Sequence, residues 1–188
     1  YSKRLTVADY TSSKSRYGGQ GVQISQAHFN PDDGYNRLLI IFDDGDMIQA
    51  KTESADSLKD DGLYVTRSFA RLAGIKVGDF LNVTPYQDGH TYKFEVKGIV
   101  TSETNQGAYL HARVFEKAGG DFTPHTLLVG SEVDQDTIKQ DKGVLSVIEK
   151  GSQEKNAYDF VSSLMSVFLM IIGFALLLVI IVLYNLGS

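Results

Sequence analysis

The residues best suited to chemistry in this sequence are the acidic run FDDGDM, with Asp43, Asp44 and Asp46, and four histidines. Several carboxylates around a sharp glycine turn are what a hard cation such as calcium requires. The alternating aspartates and closing glutamate of an EF-hand loop are missing, and Asp-Gly is also a strong hairpin signal. The run is therefore read as a turn, and so is PDDGY at Asp32 and Asp33. His28, His90, His111 and His125 are far apart with no His-x-x-x-His pair, so only the fold could gather them into a metal or base–nucleophile cluster. RYGGQG is glycine-rich, but no GK[ST] follows it and no helix start is evident, so it reads as a loop and not a phosphate cradle. No G-x-S-x-G occurs. The sequence nominates no catalytic, cofactor-binding or metal-binding residue, and no cofactor.

Composition narrows the classes further. The chain has 188 residues, a net charge of −5 and no cysteine, which excludes disulfides, cysteine-based zinc sites and thiol catalysis. A pI near 5.3, with no Lys/Arg cluster, argues against nucleic acid as a partner. The chain opens at Tyr1, with no charged-then-apolar leader, and is expected to be a piece of a longer protein.

These residues must be positioned by short elements. RLTVADY reads as strand-like, TSSKSRYGGQG as a mobile polar loop, and VQISQAHF as extended. Leu38 to Phe42 is apolar on both faces and suits a central strand, with DDGD folding Met47 to Ala50 back on it as a hairpin partner. Leu63 to Thr66 suits a short buried strand. Phe69, Leu72 and Ala73 then repeat at helical spacing until Gly74 supplies a left-handed stop and Gly78 a tight return. FLNVTPYQDGHTYKFEVKGIV is a hairpin in which Tyr92, Phe94 and Val96 alternate with Lys93, Glu95 and Lys97. AYLHARVFEKAGG predicts a strand and a helical turn, HTLLVGS a strand, VDQDTIKQDKG an amphipathic helix closed by Gly143, and VLSVIEK a last strand. Short mixed or antiparallel strands with two or three small helices make an α+β domain, over residues 1–150.

The C-terminal stretch differs in kind. From Phe160 to Ser188 no residue is charged. A hydrocarbon core about 30 Å thick needs about 20 helical residues, and Phe160 to Tyr184 provides them. Its apolar side chains favour insertion by about 5 to 10 kcal/mol before the serines and Gly173 subtract. Tyr158 and Phe160 at one end and Tyr184 at the other suit an aromatic belt, so residues 160–184 are expected to span a lipid bilayer. Ser162, Ser166, Gly173 and Ala175 are small enough to admit another membrane helix. Lys150, Glu154, Lys155 and Asp159 flank one side only, so charge bias leaves the orientation open.

GLYVTRSFARLAGIKVGDFLNVTPYQDGHTYKFEVKGIV resembles the extracytoplasmic domain of FtsX/MacB-like permeases of ABC transporters. The matching positions are Leu63 to Thr66, Ala70, Leu72, Gly74, Val77, Gly78, Asp79, Val96, Gly98, Ile99 and Val100. The tail, closing in YNLGS at Tyr184 to Ser188, resembles the membrane helix that follows that domain, so the similar parts cover roughly residues 62–188. The resemblance implies a MacB-like periplasmic core, with a second subdomain at about residues 62–130. It further implies a helical stalk at 151–159, a transmembrane helix at 160–184 and the start of a cytosolic segment at 185–188. It also implies a non-catalytic subunit of a multi-pass cell-membrane protein, with residues 1–159 extracytoplasmic and ATP hydrolysis on a separate cytosolic ABC ATPase. Other transmembrane helices and an extracytoplasmic protein or peptide would be its partners. A single-pass tethered binding or scaffold domain is the alternative. A tethered hydrolase would need a convergent polar pocket of histidines and aspartates that the sequence does not supply.

Overall fold

Strand pairing decides this architecture, because most of the pairs join strands that are distant in sequence. The protein was analysed as a computed structural model, which describes residues 1–31, 34–102 and 106–187, without the side chains of 135, 139 and 151–157. The turn expected at Asp32 and Asp33, and the side chains of Glu154 and Lys155, lie outside the described residues. The elements in chain order are β1 (Lys3–Val7), α1 (Tyr10–Tyr17), β2 (Gln20–Asn30), β3 (Arg37–Phe42), β4 (Leu63–Thr66), α2 (Arg67–Ala73), β5 (Phe80–Pro85), β6 (Tyr92–Val100), β7 (Gly107–His111), α3 (Ala112–Lys117), β8 (Thr126–Val129), α4 (Gln135–Gln140), β9 (Val144–Glu149) and α5 (Lys150–Leu186). This is the expected α+β class, with one short helix more than foreseen. The chain divides into two compact units, residues 1–147 and 148–188.

In the first unit six strands close a ring in the order β2-β3-β7-β4-β6-β5-β2. The β3–β7 and β4–β6 pairs are parallel, and the other pairs of the ring are antiparallel. Alternation along each strand turns Leu39, Ile41, Leu63, Val65, Leu81, Val83, Phe94, Val96, Ala108 and Leu110 to one core. Phe69 and Ala70 of α2 and Phe115 of α3 join the same core, so a helix closes each end of the ring. At about 2 kcal/mol for each fully buried large apolar side chain, Phe29, Phe69 and Phe115 are major contributors.

β2 is long enough to pair with different strands at its two ends. Its Ala27 to Asn30 half pairs with β5, whereas Gln20 to Val22 pairs with β8, which continues to β1 and β9. A smaller core of Leu5, Val7, Leu127, Val129 and Ile138 lies there, with Tyr10 and Tyr17 of α1 packed on it.

Three expectations need correction. The polar segment read as a mobile loop contains helix α1, capped at its start by the Asp9 side chain, which accepts from the Ser12 N–H, and closed at Gly18. The DDGD hairpin does not form, because both edges of β3 are already taken by β2 and β7. Met47, Ile48 and Ala50 do return over the sheet, but as irregular chain covering the outward residues Ile40, Phe42, Tyr64 and Tyr109. That cover explains why Leu38 to Phe42 is apolar on both faces. Third, α4 ends at Gln140 with Asp141 as its cap, and the N–H of Gly143 donates to the Asp141 carboxylate in the turn beyond.

The second unit is dominated by α5, a 37-residue helix. Tyr158–Leu186 is long and apolar enough to cross a membrane, and none of its most apolar stretch is buried. A buried core helix of a soluble protein would be mostly enclosed.

Candidate functional site

The acidic run predicted as a turn becomes a junction. One carboxylate oxygen of Asp43 accepts from the Gly21 N–H at 2.8 Å, and the other accepts from the Tyr10 hydroxyl and the Lys14 ammonium. The Asp43 carbonyl accepts from Gln20 Nε2 at 2.7 Å, and Gln20 Oε1 accepts from the Ile48 N–H at 2.9 Å. α1 is thus bolted to the start of the covering segment. Burial, and then the bond to Asp43, push the Tyr10 hydroxyl up to about 12. Burial works against the Lys14 charge, but its bonds to Asp43 and Tyr10 outweigh it and hold its pKa above the ordinary lysine value. Tyr10 lies across Gly21, where a Cβ would stand 2.4 Å from its hydroxyl oxygen, so the glycine there makes room for the ring.

Asp44 is held differently. It pairs with Arg113, whose other arm reaches Asp60 at 3.1 Å, and its second oxygen is 3.4 Å from His111 Nε2. The bond from Arg113 lowers the Asp60 pKa below the ordinary carboxylate value. Asp44 and Asp60 stand near the two ends of the segment 43–62, so one guanidinium clasps both ends of the cover. Asp46 is exposed. Asp43 and Asp44 therefore spend their oxygens on protein donors, and among the described residues no group of three or more His, Asp or Glu is placed to share a metal ion.

The four histidines are dispersed. His28 is on the outward side of β2, His90 is in the β5–β6 turn, and His125 precedes β8 with its carbonyl accepting from the Val7 N–H. His111 is buried, caps α3 by accepting from the Arg113 N–H at 3.2 Å, and packs edge-on to Phe42. RYGGQG closes α1 and opens β2.

An open, polar cleft of about 260 Å³ lies between the covering segment and β6, lined among others by Glu53, Asp56, Asp61, Tyr64, Val77 and Lys97. Sequence reasoning did not find it, because its lining is dispersed from residue 52 to residue 99. Two of its carboxylates are engaged: Asp61 accepts from the Tyr64 hydroxyl at 2.6 Å, and Glu53 pairs with Arg67 at 2.7 Å. Burial, and then Asp61, raise the Tyr64 pKa well above the ordinary phenol value.

The motif residues of the 63–100 stretch have distinct structural tasks. The Thr66 hydroxyl, fully buried, accepts from the Gly107 N–H at 3.1 Å and ties the end of β4 to β7. Gly74 ends α2 in the left-handed conformation at φ 69°. In Lys76-Val77-Gly78-Asp79, the Asp79 carboxylate accepts from the Lys76 N–H at 2.7 Å, and Gly78 and Asp79 exchange backbone bonds with Val96. Leu72, expected on the buried side of α2, is 58% exposed, and Phe69 and Ala70 are buried instead. Val77 is also exposed.

Within α5, Ser162, Ser166, Gly173 and Ala175 are on the backbone helix, and the Ser166 hydroxyl donates to the Ser162 carbonyl at 3.1 Å. That bond satisfies the serine within its own helix, as an apolar surrounding requires.

No family model matches this chain, and no curated protein matches it. Among solved structures it is similar to the crystal structure of the periplasmic region of MacB from Actinobacillus actinomycetemcomitans. The identity is 10% and the TM-score 0.45, over 83% of this chain and 91% of that one.

Proposed function

We propose that this chain is part of an ABC transporter permease, in which residues 1–150 form an extracytoplasmic domain that engages an exported or envelope partner. Residues 151–159 would act as a stalk, 160–184 as a membrane helix and 185–188 as the start of a cytosolic segment. The subunit is non-catalytic, and ATP is hydrolysed on a separate cytosolic subunit.

The observation that carries this reading is the continuity of α5. Its 37 residues extend about 55 Å at 1.5 Å per residue, against about 30 Å of bilayer core. A single helix thus supplies both the apolar stretch Tyr158–Leu186 and a shaft beyond it, with a helical backbone from Lys150. A rigid helix transmits displacement, which a flexible tether would not. The motif resemblance over residues 63–100 supports the permease assignment independently of the helix.

The single-pass scaffold remains the competing reading, since one candidate span among the described residues suits it equally well. Purification of the full-length protein from its native membrane separates the two. The permease reading expects an ABC ATPase subunit to co-purify, and expects Tyr158→Pro to leave that assembly intact while abolishing the coupling of ATP hydrolysis to the extracytoplasmic side. Proline there breaks one helical bond and kinks the shaft. A full-length protein that carries no ATPase, or a kinked shaft with unchanged coupling, would count against it.

A further inference from the structure

Three apolar side chains stand exposed at one end of the ring: Leu72 at 58%, Val77 at 59% and Phe80 at 57%. They belong to one short stretch, from the last turn of α2 through the 76–79 turn to the first residue of β5. The register puts this stretch at the end marked by Asn30, Thr66 and Val100, opposite the end where β2 joins β8. Each has a cation next to it, in sequence for the first two and in space for the third. Arg71 precedes Leu72, Lys76 precedes Val77, and the Lys93 ammonium lies 5.0 Å from the centre of the Phe80 ring.

These cations have no carboxylate partner among the described residues, although the chain as a whole carries −5. Among the described residues, the nearby acids have partners of their own. Glu53 pairs with Arg67, Glu95 pairs with Lys97, and the Asp79 carboxylate accepts from the Lys76 backbone. Exposed aromatic and aliphatic anchors among Arg71, Lys76 and Lys93, which outnumber the one carboxylate there without a cation partner among the described residues, that of Asp79, have the composition of an interface for a partner of net negative charge.

We propose that this surface docks an acidic segment of a protein partner, with Leu72, Val77 and Phe80 as apolar anchors and Arg71, Lys76 and Lys93 as charge partners. The proposal rests on the reading that the domain engages an extracytoplasmic protein, and names where and by what chemistry. An anionic lipid surface fits less well. Val77 borders the cleft that holds Glu53, Asp56 and Asp61, and a continuous negative plane would meet those carboxylates as well as the cations. A segment a few residues wide can engage the cations and avoid that cluster.

The test uses the full-length protein in its native membrane, with the photo-cross-linking residue p-benzoylphenylalanine at position 80 and, as a control, at the exposed position Leu145. Irradiation should cross-link position 80 to a peptide that mass spectrometry shows to contain a run of Asp and Glu. The yield should drop at least tenfold in an Arg71→Glu, Lys93→Glu double variant whose melting temperature is unchanged, and at high salt. Cross-links to lipid alone, a peptide without excess acid, equal yield from position 145, insensitivity to the charge reversal, or no cross-link at all would each overturn the proposal. Leu145→Cys, outside the proposed docking surface, labelled from outside by a membrane-impermeant maleimide separates the two levels. If it is labelled and the cross-link fails, the docking proposal alone falls; if it is not labelled, the extracytoplasmic reading falls with it.

Discussion

Asp43 shows how a residue typical of a metal site can be consumed by structure. It takes three donors, from Gly21, Tyr10 and Lys14, so the carboxylate is neutralised within the protein. Asp43→Ala should cost about 3 kcal/mol, since it strands a buried backbone N–H and removes two charge-assisted bonds. Chemical denaturation measures this directly. Tyr10→Phe should cost less, about 1 to 2 kcal/mol, because Lys14 and Gly21 still hold the carboxylate. The pH dependence has a definite sign. The folded Tyr10 pKa is raised to about 12 from an ordinary value of 10, so its contribution is complete below pH 10 and is lost as pH rises toward 12. Thermal melts between pH 9 and 12 should fall more steeply for the natural protein than for Tyr10→Phe, and parallel curves would contradict the assignment. Arg113 is a milder case. Its two ion pairs are well exposed and screened by water, so Arg113→Ala should change global stability little. Its clearer effect is local: faster amide exchange across residues 44–60, reproduced in the natural protein by high salt.

At the scale of elements, the ring depends on helices that plug it and side chains that tie strand ends. Phe69→Ala empties a fully buried site where the ring meets α2, and a loss of about 3 to 5 kcal/mol in denaturation is expected. Thr66→Val keeps the shape but leaves the Gly107 N–H without its acceptor, so about 1 to 3 kcal/mol should be lost. These two elements were legible in the sequence because their signals are local. Helical spacing to Gly74, alternation in Tyr92 to Val96, and Asp-Gly in the β5–β6 turn all act within a few residues. Helix α1 was not legible, since TSSKSRY has no apolar stripe; its support comes from Asp9 at the cap, from Asp43 and from Asp141 more than a hundred residues away. The missing hairpin has the same origin. Asp-Gly signals a turn, but which edges of β3 remain free depends on β2 and β7. The exposed side chain of Leu72 was hidden for the opposite reason, because an apolar residue at helical spacing looks the same in sequence whether it faces a core or solvent.

At the scale of the whole chain, an acidic α+β unit is followed in sequence by a helix whose most apolar stretch is unburied among the described residues. The reading of the chain as a permease domain outside the membrane stands on that contrast, and the composition provides a direct way to examine it. Residues 1–188 contain no cysteine, so a single thiol introduced among them is a clean reporter once any cysteine elsewhere in the full-length protein is replaced. Ser54, exposed in the covering segment, and Asn185, at the far end of α5, are suitable positions. The decisive measurement is labelling of Ser54→Cys and Asn185→Cys in the full-length protein in intact cells with a membrane-impermeant maleimide, before and after permeabilisation. A domain held outside by a spanning helix predicts labelling of Ser54→Cys in intact cells and of Asn185→Cys only after the membrane is opened. Equal labelling of both positions before permeabilisation, or protection of Ser54→Cys until it, would contradict it.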